Sequence, residues 1–278
     1  MLFKNILKTS LIILKLVIPF YIIADILIYF GVIQKISFIF EPITSLIGLS
    51  PELSLSLAAG MLLQLYPAIA FAAPLNLSPY EWTVLGLFLG VAHSLPVENA
   101  IMKKLGFSYL YSTVLRISVA FIAVWIFQLL PFSIEGKDIK KKITLPHYQS
   151  FWDMITTSFQ NASVLAIKII LLISLVIIVM EIIKNTVFKN KNLNASFSLI
   201  TGLLLGITYG AGILIKEKES LNKKELFFIG TFLMIAHSLI EDPLLFVIFG
   251  ANVWILIGLR LFLAVIFSVF ITKIFTKE

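Results

Sequence analysis

The sequence has no cysteine, only two arginines among its 22 basic residues, three histidines, and no more than 13% charged residues. The missing thiols exclude a disulfide framework, a Cys-ligated zinc or iron–sulfur centre, and a catalytic cysteine. The scarcity of charge excludes an ordinary soluble domain, because about 25% charged residues is the usual cover for a water-facing surface. What is present instead is 59% hydrophobic residues and a mean hydropathy of +1.02 over 278 residues, the composition of a polytopic membrane protein. The net charge of +7 comes from lysines set mostly between apolar runs, where anionic lipid headgroups are the fitting partner and nucleic acid is not.

Apolar runs of spanning length cover about 11–33, 52–74, 108–130, 160–183, 196–215 and 252–273, each near the ~20 residues that cross about 30 Å of hydrocarbon. The first lies behind Lys4 and Lys8, is too long for a signal-peptide core and lacks a small-residue cleavage site, so it is expected to be a retained transmembrane helix. Three further apolar segments are interrupted: 36–49 by Pro42, 80–105 by Pro96 and Glu98, and 225–250 by Glu241, Asp242 and Pro243. They are expected to be interfacial, re-entrant or broken helices. The one long polar stretch, 131–150, reads as a linker between a first membrane repeat at 1–130 and a second at 151–278.

An internal alignment supports that division. At an offset of 144, residues 81–125 match 225–269 without a gap at thirteen positions, including Glu81/Glu225, Gly106/Gly250, Arg116/Arg260 and the run Ala92-His93-Ser94-Leu95 against Ala236-His237-Ser238-Leu239. Upstream, Tyr66-Pro67-Ala68 aligns with Tyr209-Gly210-Ala211 at an offset of 143, and Asp25 with Glu181 at 156. The expected fold is therefore all-α, with two tandem homologous halves. Each half holds about three spanning helices plus a broken or re-entrant hairpin, in an inverted pseudo-two-fold arrangement.

The repeated polar set is a histidine, a hydroxyl, an acid and an arginine. An arginine at the centre of a span costs about 2.5–3.5 kcal/mol on insertion scales, so one per half calls for an intramembrane partner or a water-filled cavity. Glu98–Arg116 and Asp242–Arg260 share a separation of 18 residues, which fits a salt bridge from a broken helix to the next span and is compatible with a wholly structural role. A histidine on an apolar helix is often a packing residue that donates to a backbone carbonyl; recurrence beside an acid in both halves favours a site. Asp25 and Glu181 rank below the histidines, and Lys15 and Lys168 read as snorkelling residues. Proline and glycine at Pro67, Pro96, Gly210 and Pro243 interrupt helices in both halves, and irregular backbone at membrane depth is tolerated only inside protein or beside a water-filled cavity. Broken helices at corresponding positions of two repeats point to a transporter binding site.

With these residues in view, the blocks VAHSLPVENAIMKKLG and IAHSLIEDPLLFVIFGANVW, each followed by an arginine ten residues past its last paired glycine, resemble the nucleoside-recognition or "Gate" domain family of membrane proteins. The likeness covers about 50–130 and 196–275. The family is distantly grouped with concentrative nucleoside transporters and the membrane region of B-type ferrous-iron transporters, so the resemblance implies a solute pathway. His93, Ser94 and Glu98, with His237, Ser238, Glu241 and Asp242, are the positions that match its motif. No GTPase segment accompanies them, which excludes a complete ferrous-iron transporter of that type.

Two topologies follow. Hairpins around His93 and His237 give three crossings per half and inverted halves; kinked crossings there give four and parallel halves. Lysines outside the spans divide about 9 to 9 in the first case and about 12 to 6 in the second, so the positive-inside rule favours parallel halves. The short arms 97–105 and 243–250 and the family resemblance favour inverted halves, which is the arrangement expected.

The expected function is a permease for a small polar solute, nucleoside-like by resemblance. Its substrate-binding residues are His93, Ser94, Glu98, Asn99, Arg116, Tyr66, His237, Ser238, Glu241, Asp242, Arg260 and Tyr209. No cofactor is expected. The alternative is binding or transport of a divalent metal by His93, Glu98, His237, Glu241 and Asp242, a mixed nitrogen and oxygen set suited to manganese, iron or zinc. A further alternative is a non-transporting membrane scaffold. An enzyme is not expected: adjacent His93 and Ser94 point about 100° apart on a helix, and neither HExxH nor GxSxG occurs. The expected partners are the lipid bilayer and a small polar solute or ion, with oligomerisation left open. The expected location is the cytoplasmic membrane of a prokaryote.

Overall fold

The computed structural model describes residues 2–36, 38, 41–131, 143–187, 195–217 and 221–275. The chain is an all-α polytopic membrane protein. Its helices are α1 (Leu2–Tyr29), α2 (Val32–Ile36), α3 (Glu41–Leu46), α4 (Ser54–Leu62), α5 (Leu65–Ala72), α6 (Pro79–Ala92), α7 (Leu95–Leu105), α8 (Tyr109–Leu129), α9 (Phe151–Val187), α10 (Ala195–Leu205), α11 (Ile207–Glu217), α12 (Lys223–Ile235), α13 (Glu241–Val247) and α14 (Val253–Phe275). Five helical stretches are long and apolar enough to cross a membrane: Leu2–Tyr29, Pro79–Leu105, Tyr109–Leu129, Phe151–Ile183 and Val253–Phe275. Pro79–Leu105 is the most deeply buried of them and forms the centre. The outer helices turn large apolar side chains such as Leu171, Phe262 and Trp254 outward, as lipid-facing helices do.

Two expected spans, 52–74 and 196–215, are corrected by the structure. In one straight helix, Ser56 and Ala68 would stand about 18 Å apart at 1.5 Å per residue. Instead Ser56 Oγ donates to Ala68 O at 2.7 Å, so α4 and α5 fold back on each other as a hairpin. Ser198 Oγ donates to Gly210 O at 2.6 Å in the same way, making α10 and α11 a second hairpin. The first hairpin turns at Leu63 and the extended Gln64 (φ −169°). The second turns at Gly206, whose φ of +97° suits glycine. Pro67 is not the breaking residue; it occupies the first turn of α5, where an N–H would have no intrahelical partner anyway.

The segments 80–105 and 225–250 were expected to be the hairpins, and the first of them is a broken crossing instead. Moving up the chain through Tyr80, Phe88, Val91 and Asn99, the partners on α8 move steadily down through Phe127, Phe121, Arg116 and Thr113. Helix α7 thus continues the course of α6 after a break at His93 and Ser94, and α8 returns alongside. In the second half, α12 and α14 are likewise antiparallel, Phe227 meeting Phe275 and Ile235 meeting Arg260.

The first helices of the two halves, α1 and α9, pack together and run antiparallel. Tyr29 and Phe30 meet Phe151, and Asp25 meets Ser158 two turns further into α9. Helix α3 is pinned against the end of α8, where Trp125 and Gln128 donate to Leu46 O and Ile47 O. Of the expected linker, 132–142 lie outside the described residues, and 143–150 are non-helical.

Local geometry recurs between the halves. Ser78 and Asn222 each close a capping box with Glu81 and Glu225. Ser94 and Ser238 share a left-handed φ of 48° and 50°, and Gly106 and Gly250 share a positive φ. These features keep the offset of 144. Around the hairpins the offset is 142: Ser56 corresponds to Ser198, Gly60 to Gly202 and Gln64 to Gly206. The alignment of Tyr66 with Tyr209 is thereby corrected by one residue, since Tyr66 corresponds to Thr208. Sequence identity at a neighbouring position drew the alignment out of register.

Candidate functional site

The site is built from two chain breaks. Helix α6 ends when His93 turns extended (ψ 161°) and Ser94 takes the left-handed conformation; Ser94 N then donates to Gly60 O of the first hairpin at 2.9 Å. In the second half Ser238 N donates to Gly202 O at 3.3 Å and Leu239 N to Leu203 O at 2.8 Å. Each hairpin therefore supplies carbonyls to a broken helix that has lost its own ladder, which satisfies the backbone at membrane depth. Glu98 lies in the first turn of α7, and Glu241 and Asp242 in the first turn of α13, where carboxylates complement the positive end of a helix.

The arginines close each break from outside. Arg116 is fully buried; its Nε donates to Val91 O and its Nη2 to His93 O, both at 2.7 Å. Nη2 also pairs with Glu98 Oε2 at 2.6 Å, as an ion pair off the line of its hydrogen bonds, and Nη1 reaches Asn99 Oδ1 at 3.5 Å. Arg260 repeats the pattern more loosely. Its Nη2 donates to His237 O at 2.6 Å, its Nε to Ile235 O at 3.4 Å, and it pairs with Asp242 Oδ2 at 3.5 Å. A lysine could not span two carbonyls and a carboxylate at once, which explains why the only two arginines stand here. Both salt bridges expected from the 18-residue spacing are present.

The histidines meet across the halves. Their ring centroids are 5.2 Å apart, and Nδ1 of each lies 2.8 Å from the carbonyl four residues back, Leu89 O or Leu233 O. A carbonyl only accepts, so each Nδ1 carries hydrogen, and both Nε2 atoms face the centre. Each Nε2 stands 3.4 Å from a Glu98 oxygen, so one carboxylate serves both rings. His237 Nε2 is buried without an aligned hydrogen bond. Asp242 completes a group with His93 and His237 whose ligand atoms lie within 4.8 Å of one another, all buried.

Most of the expected site is thus gathered in one place. Tyr66 joins it across the halves, its hydroxyl donating to Glu241 Oε1 at 3.0 Å. Asn99 is buried behind the centre, donating to Thr113 Oγ1 at 2.8 Å, and Ser94 and Ser238 sit at the breaks themselves. Arg116 and Arg260 hold backbone. The Tyr209 side chain lies outside the described residues. Sequence reasoning missed the hairpin tips at Leu63–Gln64 and Gly206, because a long apolar run hides a reversal that only Ser56 and Ser198 betray. Asp25, ranked below the histidines, is fully buried and accepts a hydrogen bond from Ser158.

Comparison with known proteins agrees with this architecture. Residues 10–133 match the Gate family, described as nucleoside recognition. That match takes in α1 as well as the expected 50–130. An uncharacterized membrane protein of Bacillus subtilis (strain 168), YvoD, is 26% identical over 285 residues, covering 95% of this chain and 90% of that one. No solved structure matches. The chain is a multi-pass integral membrane protein whose residues 10–133 match the nucleoside-recognition Gate family.

Proposed function

We propose that the protein is a permease for a small polar solute, nucleoside-like in the first instance, which binds where the breaks of α6–α7 and α12–α13 meet. The observation that carries this reading is the pair His93 and His237, 5.2 Å apart and both turned toward Glu98 in the buried centre. Two imidazole nitrogens and a carboxylate offer donors and acceptors suited to sugar hydroxyls and base edges. Broken helices backed by hairpins are the arrangement in which transporters place such groups. The antiparallel packing of α1 with α9, and Tyr111 near the start of α8 against Phe275 at the end of α14, support inverted halves with three crossings each, 1–130 and 151–278. The match of residues 10–133 to the Gate family supports transport over catalysis.

The test is thermal stability of the detergent-purified protein against nucleosides, phosphorylated small molecules and divalent metals, beside the His93→Ala/His237→Ala variant. A specific ligand at a hundredfold excess over Kd stabilises by about 2.7 kcal/mol, and the gain should vanish in the variant. Uptake into reconstituted vesicles equal to that of empty vesicles across a broad panel overturns the permease reading and leaves a membrane scaffold.

A divalent metal as the cargo is the second reading. It is favoured by the buried His93, His237 and Asp242 group and by Nδ1–H bonds to carbonyls, which fix the tautomer and free Nε2 as a ligand. Stabilisation by manganese, iron or zinc that survives removal of all nucleosides selects it.

A further inference from the structure

A second polar cluster lies apart from the histidines, between the antiparallel helices α1 and α9. Asp25 is fully buried, and Ser158 Oγ donates to its Oδ2 at 2.6 Å, a short bond of the kind an ionised or proton-sharing carboxyl makes. Tyr148, from the non-helical segment before α9, lies close enough to the carboxyl to act on it, as does Tyr21, one turn back on α1 and itself near Asn161. Asp25 Oδ1 has no hydrogen-bond partner among the described residues.

No cation accompanies this carboxyl among the described ion pairs. Apart from Tyr21 and Tyr148, the described charged and titratable groups of the elements packed on α1 lie away from this carboxyl. On α9, Asp153 accepts from Gln149 N at the helix start and Lys168 is exposed. On α5, Tyr66 is turned to Glu241, and Lys35 of α2 and Lys15 of α1 itself are exposed. Glu181, the suggested counterpart of Asp25, is 23 residues beyond Ser158 on α9 and so about 35 Å along the helix. A lone buried carboxylate without a cation is costly, and its simplest relief is to take up a proton. Every other polar group around it is a hydroxyl or an amide, able to donate to the charged form and to accept from the neutral one.

We propose that Asp25 is an exchangeable proton-binding site, seated at the contact between the two halves and reached through Tyr148. It deepens the permease reading, on which only the use of the proton for coupling rests. Ser158 and Tyr148 solvate the carboxylate in one state and accept its proton in the other. Burial and the neighbouring Asp25 hold the Tyr148 phenol above its ordinary range, so it remains a donor throughout. The proton thus trades against the register of α1 on α9, the pair that joins the halves.

Infrared difference spectra of the full chain in lipid, between pH 8 and pH 5, test this without any transported solute. The wild type should show a carboxyl C=O band that is absent from Asp25→Asn, an isostere of the neutral acid. Ser158→Ala and Tyr148→Phe should each move that band, because one hydroxyl beside the carboxyl is gone, and they keep the test open if Asp25→Asn fails to fold. Identical spectra for wild type and Asp25→Asn overturn the proposal, as does a band unmoved in both neighbours' variants. A melting temperature raised by sodium chloride over choline chloride in the wild type but not in Asp25→Asn also overturns it, in favour of a metal cation. A positive infrared result with no uptake of any solute retains the site and discards the permease.

Discussion

The two arginines make the same contacts at different lengths, so their removal should cost different amounts. Arg116 donates at 2.7 Å to Val91 O and to His93 O, and pairs with Glu98 at 2.6 Å. Each hydrogen bond from a charged donor contributes about 1.5–3 kcal/mol, and breaking a buried ion pair costs about 3–5 kcal/mol. These overlap in one side chain, so Arg116→Ala is expected to lose about 4–6 kcal/mol, a large share of a total stability of about 5–15 kcal/mol. Arg260 has one short bond, 2.6 Å to His237 O, with its other contacts at 3.4 and 3.5 Å. Arg260→Ala should therefore lose about 2–4 kcal/mol, roughly 2 kcal/mol less. Arg116→Lys keeps the charge, but a single nitrogen cannot reach both carbonyls, so it should recover no more than about half the loss. Equilibrium unfolding in mixed micelles, followed by tryptophan fluorescence, gives the three values. Equal losses for the two alanine variants, or full rescue by lysine, would show that the guanidinium fork is not what holds the break.

Three other expectations follow from single contacts. A Cβ on Gly210 would lie 2.6 Å from Gly202 Cα, a backbone atom of the facing helix, whereas one on Gly212 meets nothing within 4 Å. Gly210→Ala should part the second hairpin at a cost of about 1–3 kcal/mol, while Gly212→Ala should be neutral or stabilising by up to about 1 kcal/mol; a reversed order in unfolding refutes the hairpin packing. Tyr66→Phe should cost about 1–3 kcal/mol through the lost bond to Glu241, and a double-mutant cycle with Glu241→Ala should return a coupling of that size; strictly additive losses refute the contact between halves. Because the chain has no native cysteine, Lys103→Cys and Lys142→Cys can be labelled on a clean background. Inverted halves place Lys103 on the side of Lys4 and Lys142 on the other, and the exchanged pattern refutes them.

Composition made the membrane class legible, and the repeated histidine, acid and arginine made most of the site legible, because those residues are expensive in a membrane and rare in this chain. His93, Glu98, His237 and Asp242 do converge. What hydropathy could not distinguish is a span from a hairpin. The runs 52–74 and 196–215 are apolar along their length whether they cross once or turn back, and the turn at Gln64 needs neither proline nor glycine. Conversely Pro96 made 80–105 look like a reversal, yet it sits in the first turn of α7, where proline continues a helix as easily as it ends one. The surroundings of Asp25 were not legible, because its neighbours Ser158 and Tyr148 lie more than a hundred residues away in sequence. No periodicity in α1 announces them.

The shared backbone clamp explains how the halves can differ at their centre. Both arginines spend their shortest hydrogen bond on the histidine carbonyl at the break, His93 O or His237 O, and that bond depends on backbone position alone. The acid beside each arginine adds an ion pair to that clamp. Glu98, one methylene longer than Asp242, reaches past Arg116 to both imidazoles, while Asp242 stays beside Arg260 and presents its charge from the other flank. The contact of Glu98 with Arg116, at 2.6 Å, is the shorter one, and the two imidazole nitrogens stand at 3.4 Å. The second half holds its acid more loosely, Asp242 standing 3.5 Å from Arg260 against 2.6 Å between Glu98 and Arg116, and adds Glu241, held from the first half by Tyr66. Glu98 is the acid that stands near both imidazoles, so Glu98→Asp, one methylene shorter, should loosen the centre more than Asp242→Glu.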